Sequence, residues 1–503
     1  RRQRQMCIRD RRGGDEKVVA VIGDGALSGG MAFEALNNAA ALKTNMVIVL
    51  NDNKMSIAPN VGGMSTYLGK IRANRKYRDL KMNVENSLDK IPNVGHPLAR
   101  QIKRAKDSIK HLFIPGMLFE NMGLTYLGPV DGHNMRQMMK LFNEAKRVEG
   151  PVVVHVLTKK GRGYEPASAH PDRFHGTGPF DIKTGRVLQK KTVPGYTDVF
   201  SKALVSLGEK NKKLTAITAA MPDGTGLVEF SRRFPDRFFD VGIAEEHAVS
   251  FAAGLALGGL VPVVAIYSSF LQRAVDQILH DVCMQKLHVI FAVDRAGLVG
   301  ADGETHQGCF DLSYLSMMPN MTVLAPKNDR ELEEMLAFAV SFDGPIAIRY
   351  PRGSAHQGLR EYQAPVEYGR SEIIRKGKKI AVLGVGSMIP SCMEICKGLK
   401  DDGYDPTFVN ARFVKPLDVD LLDELAKDHS LFVTVEENVK SGGYGEHVSA
   451  YMEACHPEIR VLSAAVWDRF VPQGNVESLR SRIGLGVEDI RQAIEDSEEL
   501  REQ

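Results

Sequence analysis

The sequence predicts an α/β protein with three doubly wound domains, each a mostly parallel sheet covered by helices on both faces. Short apolar runs bounded by glycine recur along the chain, and segments with helical periodicity separate them. That alternation is expected of βαβ units. The chain has 503 residues, more than one hydrophobic core usually organises, so several domains are expected.

The first predicted domain covers residues 1–190 and opens with a βαβ unit. Its apolar runs have the length and composition of buried parallel strands, and a helical pattern over residues 30–42 separates the first two. A charged stretch at residues 69–120 is predicted to be helical, and a loop rich in glycine and basic residues follows the last strand. The predicted strands are residues 17–22, 46–50 and 152–156.

The second predicted domain covers residues 195–358 and the third covers residues 368–503, with a polar stretch between them. Both alternate short apolar runs with helical patterns, so both are expected to be parallel α/β layers. The strands predicted for the second domain are residues 214–218, 238–241, 263–266 and 289–293. Those predicted for the third are residues 380–383, 407–409, 431–435 and 461–464.

Composition argues against several classes of function. The 65 basic and 62 acidic residues give a net charge of +3, which offers no electrostatic reason to bind nucleic acid or an anionic membrane. The most apolar stretch, residues 254–271, contains glycines and a proline, and predicts a helix end followed by a buried strand rather than a membrane span.

The six cysteines are scattered and form no disulfide framework. Cys392 and Cys396 lie one helical turn apart, but no second pair follows, so buried thiols are favoured over a zinc site. The pattern fits a reducing compartment, and a bacterial cytoplasmic location is expected.

Polar motifs follow the first two predicted strands. Gly23-Asp24-Gly25 comes after the first, and Asn51-Asp52-Asn53 after the second, so both are expected at the carboxyl edge of one sheet, where α/β proteins bind ligands. Asp24 and Asn53 offer hard oxygen ligands that suit Mg²⁺ beside a diphosphate. The alternative is a glycine-rich turn that binds nothing.

The pair of motifs resembles the thiamine-diphosphate motif, and the string VVAVIGDGALSGGMAFEALNNA at residues 18–39 resembles the 1-deoxy-D-xylulose-5-phosphate synthase family. The resemblance implies that Asp24, Asn53 and the backbone carbonyl of Met55 hold Mg²⁺. It also implies that Gly25 and Ala26 contact the cofactor, thiamine diphosphate. The implied domains are two of the thiamine-diphosphate-binding type and one of the transketolase C-terminal type.

The implied reaction condenses pyruvate with D-glyceraldehyde 3-phosphate to 1-deoxy-D-xylulose 5-phosphate and CO2. It supplies isoprenoid, thiamine and pyridoxal precursors. The resemblance further implies a homodimer whose active site lies between the first two domains of one chain, and a third domain that is structural. A transketolase-like ketol transferase, or an inactive fragment that only binds the cofactor, remain as alternatives.

Glu245 precedes a predicted helix, and by resemblance its carboxyl contacts the aminopyrimidine ring of the cofactor. Simple capping of the helix N-terminus is the alternative, since acidic residues are favoured there. Phe270 is implied to stack on the same ring, although a plain core position is also open. Tyr267 and Arg273 are implied to line the substrate site.

Residues 294–308 are rich in glycine yet dense in charge, a combination that offers a phosphate anchor beside an acid–base pair. The resemblance assigns Arg295, Asp302 and His306 to substrate binding and catalysis, and Arg352 to the substrate phosphate. A solvated surface loop is the alternative. We call residues 294–308 the acceptor loop.

Lys160 and His175 belong to a segment that resembles a mobile part of the family, in which a lysine contacts the cofactor and a histidine acts in catalysis. Such loops close over reacting groups and exclude water. The family also has a stretch of roughly a hundred residues before the first βαβ unit, which this chain is expected to lack, and residues 1–8 do not match the family. We therefore expect this chain to bind cofactor weakly and to be poorly active, because stability is a small difference between large terms.

Overall fold

The structure, a computed structural model, describes residues 13–14, 16–43, 45–73, 117–188 and 193–497. It divides into two compact units. One contains the described part of residues 1–190 with Gly242–Ala244, and the other contains the described part of residues 191–241 and 245–503. Residues 69–120 were predicted to be helical, and residues 74–116 of that stretch lie outside the described part of the chain.

The first unit is a sheet of four described strands, all parallel, in the order β1-β2-β4-β3. The predicted strands and the helix over residues 30–42 are confirmed, and β3 was missed. The strands are β1 (Val18–Gly23), β2 (Met46–Asp52), β3 (Thr125–Asp131) and β4 (Val152–Leu157). The helices are Gly30–Leu42, Gly62–Ala73, Met117–Asn121, Met135–Ala145 and Glu165–Ala169.

Burial explains why β2 reads as a continuous apolar run. Ile48 and Leu50 belong to a core cluster on one face of the sheet, whereas Val47 and Val49 belong to a separate cluster. Since successive side chains in a strand point to opposite faces, a strand covered on both faces must be apolar throughout.

The second unit contains two sheets, the first of which has seven described strands. Six of them are parallel and come from residues 214–350, and the seventh is an antiparallel edge strand, Phe413–Lys415. The six are β5 (Leu214–Thr218), β6 (Phe238–Asp240), β7 (Val261–Tyr267), β8 (Ile290–Asp294), β9 (Thr322–Leu324) and β10 (Ile346–Tyr350). The α-helices are Tyr196–Lys210, Val228–Arg233, Glu245–Leu257, Ser268–Leu271, Val275–Gln277, Asp311–Ser316 and Asp329–Ser341.

The third sheet has five described strands in the order β11-β13-β12-β15-β16, and β11 is antiparallel to its neighbour. They are β11 (Glu372–Arg375), β12 (Lys379–Gly384), β13 (Thr407–Asn410), β15 (His429–Val439) and β16 (Arg460–Val466), and the edge strand Phe413–Lys415 is β14. The helices are Ile389–Asp401, Val419–Ala426, Tyr444–Cys455, Val476–Arg482 and Val487–Glu495. All strands predicted for these two layers are present, so the α/β fold with three layers is confirmed.

The sequence did not predict that β14, which follows the third domain's β13, pairs with β9 of the second sheet. Beside this crossing lies a buried charge cluster of Lys327, Glu331, Glu372 and Arg412. Arg412 Nε lies 3.0 Å from Glu331, and its Nη2 lies 2.8 Å from Glu372. Strand β14, which pairs only with β9 among the described strands, and the ionic cluster therefore connect the third layer to the second sheet.

The apolar stretch at residues 254–271 forms the end of helix Glu245–Leu257 and strand β7, as predicted. In the part of the chain that the structure describes, no helix has both the length and the apolar character needed to cross a bilayer. Cys392 and Cys396 are buried free thiols on one helix, again as predicted.

Candidate active site

The register of β1 and β2 brings the two motifs of the first unit together. Gly23 lies opposite Asn51, and the Asp24 amide donates a 3.2 Å hydrogen bond to the Asn51 carbonyl. Parallel strands end at the same edge of a sheet, so the side chains that follow them converge there. The segments that contain Asp24 and Asn53 therefore lie side by side at the edge of the sheet, as predicted.

Asp24 is 4% exposed, and its two carboxylate oxygens differ. Oδ2 accepts a 2.8 Å hydrogen bond from the Lys54 amide, whereas Oδ1 is buried with no hydrogen-bond partner among the described residues. Burial, followed by the neighbouring Asp52, raises the pKa of Asp24 to about 6. A buried carboxylate oxygen without a donor is the kind of group that a hard cation satisfies. The donor set therefore fits Mg²⁺.

The turn around this carboxylate is closely packed. A Cβ at Gly25 would lie 2.8 Å from Asn60 Oδ1 and 2.9 Å from the Cβ of Ser56, so a side chain does not fit there. Asn53 Oδ1 accepts a 2.9 Å hydrogen bond from the Met55 amide, which fixes the backbone of the expected third ligand. Glycine at position 25 is required by this packing and keeps the backbone accessible to a ligand.

Asp52, between the two asparagines, has a different environment, which the sequence did not reveal. Its buried carboxylate lies 2.9 Å from His155 Nε2 and 2.5 Å from Arg72 Nη1. The Tyr126 hydroxyl lies 2.7 Å from the other ring nitrogen of His155. Burial alone would raise the pKa of Asp52, but the hydrogen bonds from His155 and Arg72 outweigh it and hold this pKa below its usual range. The available signal was a histidine inside the apolar run of β4.

Lys160 and His175, the two predicted residues of the segment that resembles a mobile part of the family, are adjacent. Lys160 Nζ donates a 2.7 Å hydrogen bond to the Ser56 carbonyl and lies 2.9 Å from His175 Nδ1. Burial lowers the pKa of Lys160, and burial together with the Lys160 charge lowers the pKa of His175. Both side chains therefore lie beside the turn that contains Met55.

In the second unit, Glu245 is the first residue of helix Glu245–Leu257 and is 3% exposed. Its carboxylate is paired with Arg273, whose Nη2 also lies 3.2 Å from Glu246. Burial raises the pKa of Glu245, although its own amide and Arg273 oppose that shift. Glu245 is therefore a buried, paired carboxylate at the start of the helix.

Tyr267, Phe270 and His306 form a row of rings in the second unit. The Tyr267 and Phe270 ring centroids are 5.4 Å apart with nearly parallel planes, and the Phe270 and His306 centroids are 5.3 Å apart. Phe270 is only partly buried, so it is not a plain core residue. The Arg295 guanidinium lies 3.6 Å from the centre of the Tyr267 ring, a cation–π geometry, and burial raises the pKa of Tyr267 to about 12.

The acceptor loop begins where β8 ends, and its first arginine adopts a left-handed backbone with φ of 60°. Arg295 Nη1 donates a 2.9 Å hydrogen bond to the Gly224 carbonyl. Asp302 pairs with Arg352 at 2.5 Å, and both side chains are partly exposed. Leu298 is buried, so the segment is anchored and is not a fully solvated loop.

The predicted site residues thus form two groups. The first unit brings together Asp24, Gly25, Ala26, Asn53, Met55, Lys160 and His175. The second brings together Glu245, Tyr267, Phe270, Arg273, Arg295, Asp302, His306 and Arg352. The sequence missed buried Asp294, whose Oδ2 accepts a 3.0 Å hydrogen bond from Thr197 beneath the acceptor loop.

Comparison with known families covers most of the chain. The family model described as 1-deoxy-D-xylulose-5-phosphate synthase matches residues 5–158. Models of the transketolase pyrimidine-binding domain and of the transketolase C-terminal domain match residues 193–357 and 369–490.

Curated relatives named 1-deoxy-D-xylulose-5-phosphate synthase align along almost the whole chain. The protein from Lachnoclostridium phytofermentans is 57% identical over 94% of this chain and 76% of its own length. The protein from Natranaerobius thermophilus is 51% identical over 96% of this chain and 77% of its own length.

Two solved structures share the fold. A split-gene transketolase, described as an inactive β4 tetramer, is 30% identical over 61% of this chain and 98% of its own, with a TM-score of 0.54. The transketolase of Campylobacter jejuni covers 96% of this chain and 78% of its own, at 17% identity and a TM-score of 0.53. The second likeness concerns the fold alone.

The three α/β layers and the matched domains define the chain as a transketolase-like transferase that depends on thiamine diphosphate. Within that class, identity of 50% or more to several curated relatives is decisive. The chain belongs to the 1-deoxy-D-xylulose-5-phosphate synthase family.

Proposed function

We propose that this chain condenses pyruvate with D-glyceraldehyde 3-phosphate, releasing CO2 and 1-deoxy-D-xylulose 5-phosphate. One observation carries the proposal: two arginines, Arg295 and Arg352, lie on or beside a loop that also presents Asp302 and His306. Two guanidinium groups suit a phosphate. An acid–base pair beside them suits a substrate whose aldehyde oxygen must gain a proton.

The cofactor would be held mainly by the first unit. Asp24, Asn53 and the Met55 carbonyl would bind Mg²⁺, and the closely packed turn at Gly25 and Ala26 would accept the diphosphate. The unpartnered Oδ1 of Asp24 supports the cation. When bound, thiamine diphosphate supplies the electron sink that decarboxylation of pyruvate needs.

Glu245 would act on the pyrimidine ring of the cofactor. Because burial raises the pKa of this carboxyl, its carboxylate is a stronger base than that of an exposed glutamate and accepts a proton from the ring more readily. Arg273 orients the carboxylate through its ion pair. Phe270 offers a partly exposed aromatic face on which the same ring could stack.

The phosphate of glyceraldehyde 3-phosphate would bind Arg295 and Arg352. Arg352 is already neutralised by Asp302, so an incoming phosphate would replace that carboxylate and leave Asp302 free to act on the substrate. His306 and Asp302 would then deliver the proton that converts the aldehyde oxygen into a hydroxyl. In the first unit, Lys160 would contact the cofactor and His175 would act in catalysis, since both lie beside the turn that contains Met55.

A cytoplasmic homodimer is a further part of this proposal. Free cysteines such as Cys392 and Cys396 support a reducing compartment. Exposed apolar side chains in each unit, for example Val21 and Phe470, offer surface that a second copy could cover. Sedimentation of the purified chain as a monomer at micromolar concentration would contradict the dimer.

The proposal is tested by incubating the chain with thiamine diphosphate, Mg²⁺, pyruvate and D-glyceraldehyde 3-phosphate. CO2 and 1-deoxy-D-xylulose 5-phosphate should form in equal amounts. Glu245→Ala should lower turnover by at least about 100-fold, because general acid–base groups contribute that much. The control is Glu246→Ala, which removes the neighbouring carboxylate that also contacts Arg273 and should retain most activity.

Other outcomes separate the alternatives. Product formed from a ketose phosphate donor, with no CO2 released from pyruvate, would favour a transketolase-like ketol transferase. A folded chain that yields neither product would favour a fragment that only binds the cofactor.

A further inference from the structure

The underside of the acceptor loop rests on the third α/β layer, and both belong to the second unit. Leu298 and Cys309 are 3% and 1% exposed, and both belong to the hydrophobic core cluster built around the third sheet. The Val439 amide at the end of β15 donates a 2.8 Å hydrogen bond to the Cys309 carbonyl. The loop that carries Arg295, Asp302 and His306 is therefore anchored in a domain expected to be structural.

A short segment of that domain contacts the middle of the loop. We call residues 472–475 the support loop. The Gln473 side-chain amide donates a 2.9 Å hydrogen bond to the Ala301 carbonyl, next to Asp302. The Gly474 amide donates a 3.3 Å hydrogen bond to the Gly300 carbonyl.

Gln307 connects the acceptor loop to the support loop through a second set of hydrogen bonds. It is 3% exposed, and its Oε1 accepts a 2.8 Å hydrogen bond from the Val299 amide. Its Nε2 donates a 3.1 Å hydrogen bond to the Pro472 carbonyl. One side chain thus closes the acceptor loop on itself and attaches it to the support loop.

Close packing leaves the loop little room to change shape. Gly300 has φ of 67°, and a Cβ there would lie 2.6 Å from the Gly474 carbonyl oxygen. Gly297 has φ of 77°, and a Cβ there would lie 2.3 Å from Glu437 Oε2. Glu437 is itself held by Arg480 at 2.7 Å and by Ser387 at 2.8 Å. Both glycines are needed because left-handed backbone and close approach coincide.

We infer that Gln473 and Gln307 are positioning residues for the acceptor substrate, and that the support loop makes the third domain part of the active-site machinery. The inference rests on the proposed function. Arg295, Asp302 and His306 must be held at fixed separations to bind a phosphate and reach the same substrate's carbonyl. Hydrogen bonds at Ala301 and Val299, on either side of Gly300, hold the backbone that sets those separations.

The test is Gln473→Ala in the full chain, with Gln363→Ala as its matched control. Gln473 and Gln363 are both exposed, and each side-chain amide donates a 2.9 Å hydrogen bond to a backbone carbonyl, Ala301 and Arg360 respectively. Loss of one net hydrogen bond should raise the KM for glyceraldehyde 3-phosphate about 3- to 10-fold. The KM for pyruvate should stay within about twofold, and Gln363→Ala should change neither.

Hydrogen–deuterium exchange provides a readout that needs no turnover. Amides of residues 298–306 should exchange faster in Gln473→Ala than in the wild type or in Gln363→Ala, because their anchor is removed. Gly300→Ala should show the same two effects more strongly, since it introduces a Cβ against the support loop.

Identical exchange and identical KM values in the Gln473 and Gln363 variants would overturn the inference. Equal losses for both substrates together with a lower Tm would overturn it as well, because that is the signature of a general structural role. An inactive wild-type chain would count against the proposed function alone. The exchange comparison would still decide whether the support loop holds residues 298–306.

Discussion

At the residue scale, aspartates at strand ends differ in the partners that surround them. Asp24 and Asp52 both follow strands of the first sheet, yet Asp24 keeps an oxygen free of donors whereas Asp52 is saturated by Arg72 and His155. The first arrangement leaves capacity for a cation, and the second ties β2 to β4 and to helix Gly62–Ala73. Asp294 is a third case, because it is fully buried beneath the acceptor loop with Oδ1 unpartnered among the described residues.

Asp294 should make stability depend on pH. Burial, only partly offset by Arg295 and Thr197, raises its pKa from 3.8 to about 6. An acid with a raised folded pKa binds its proton more tightly in the folded state, so its contribution falls as pH rises between about 4 and 6. Asp294→Asn removes the buried anion. Relative to the wild type, this variant should therefore gain about 2 kcal/mol in free energy of unfolding between pH 4 and pH 7.

Urea denaturation of both proteins at several pH values checks this expectation. The matched control is Asp223→Asn, the same substitution at a nearby position where the side chain is not buried, and the pH-dependent gain of Asp294→Asn should exceed that of this control. The argument would be contradicted if the difference in free energy of unfolding between Asp294→Asn and the wild type stayed constant with pH. It would also be contradicted if the variant became less stable relative to the wild type as pH rises.

At the scale of elements, the segment that follows β13 of the third sheet adds β14 to the second sheet, and buried charges also connect the two sheets. Lys327 Nζ lies 2.7 Å from Glu372 and 3.1 Å from Glu331, and Arg412 completes a cluster of two cations and two anions. Desolvation makes such clusters costly to form, and removal of one member leaves an uncompensated buried charge. The cluster therefore makes the junction sensitive to single substitutions.

Arg412→Met should lower the free energy of unfolding of this unit by about 3–5 kcal/mol, because Glu331 and Glu372 lose a buried partner. The control is Arg370→Met, which removes an arginine that is half exposed and paired with Asp418 and Asp420. Exposed pairs contribute about 1 kcal/mol or less. Urea midpoints followed by circular dichroism would measure both, and equal midpoints would contradict the role of the cluster.

At the scale of the whole chain, the structure divides into two compact units, and the second unit contains two of the three predicted layers. Strand β14 pairs with β9 across the predicted boundary between the second and third domains. The acceptor loop is anchored in the core of the third layer. Residues 193–497 should therefore behave as one cooperative body, although they contain two sheets.

We expect residues 193–497 to fold when expressed alone and residues 193–367 to fail. The shorter piece lacks β14, so the edge of β9 loses its partner strand, and it lacks the support for Leu298. An unpaired apolar edge promotes aggregation. Gel filtration and near-ultraviolet circular dichroism would test this. A monomeric, cooperatively folded 193–367 fragment would show that β14 is dispensable.

Much of the architecture could be predicted from local sequence. Each predicted strand and the helix over residues 30–42 is present, because buried parallel strands are short apolar runs with glycine at their ends. Strands β9 and β10 were missed although they are buried throughout, and the missed strand β3 is a partly exposed edge strand. Strands β11 and β14 are antiparallel edge strands of three or four residues, too short for a clear period.

The sequence by itself determined which residues lie at the ends of strands. It thereby determined which motifs could lie close together, because parallel strands all end at the same edge of a sheet. Tertiary structure alone decided the partners of those residues. Asp52 and His155 are 103 positions apart, and Gln473 and Ala301 are 172 apart. Contacts between residues so far apart in the chain depend on how the layers pack. Such packing produces no periodic pattern or fixed spacing that could be recognised in the sequence.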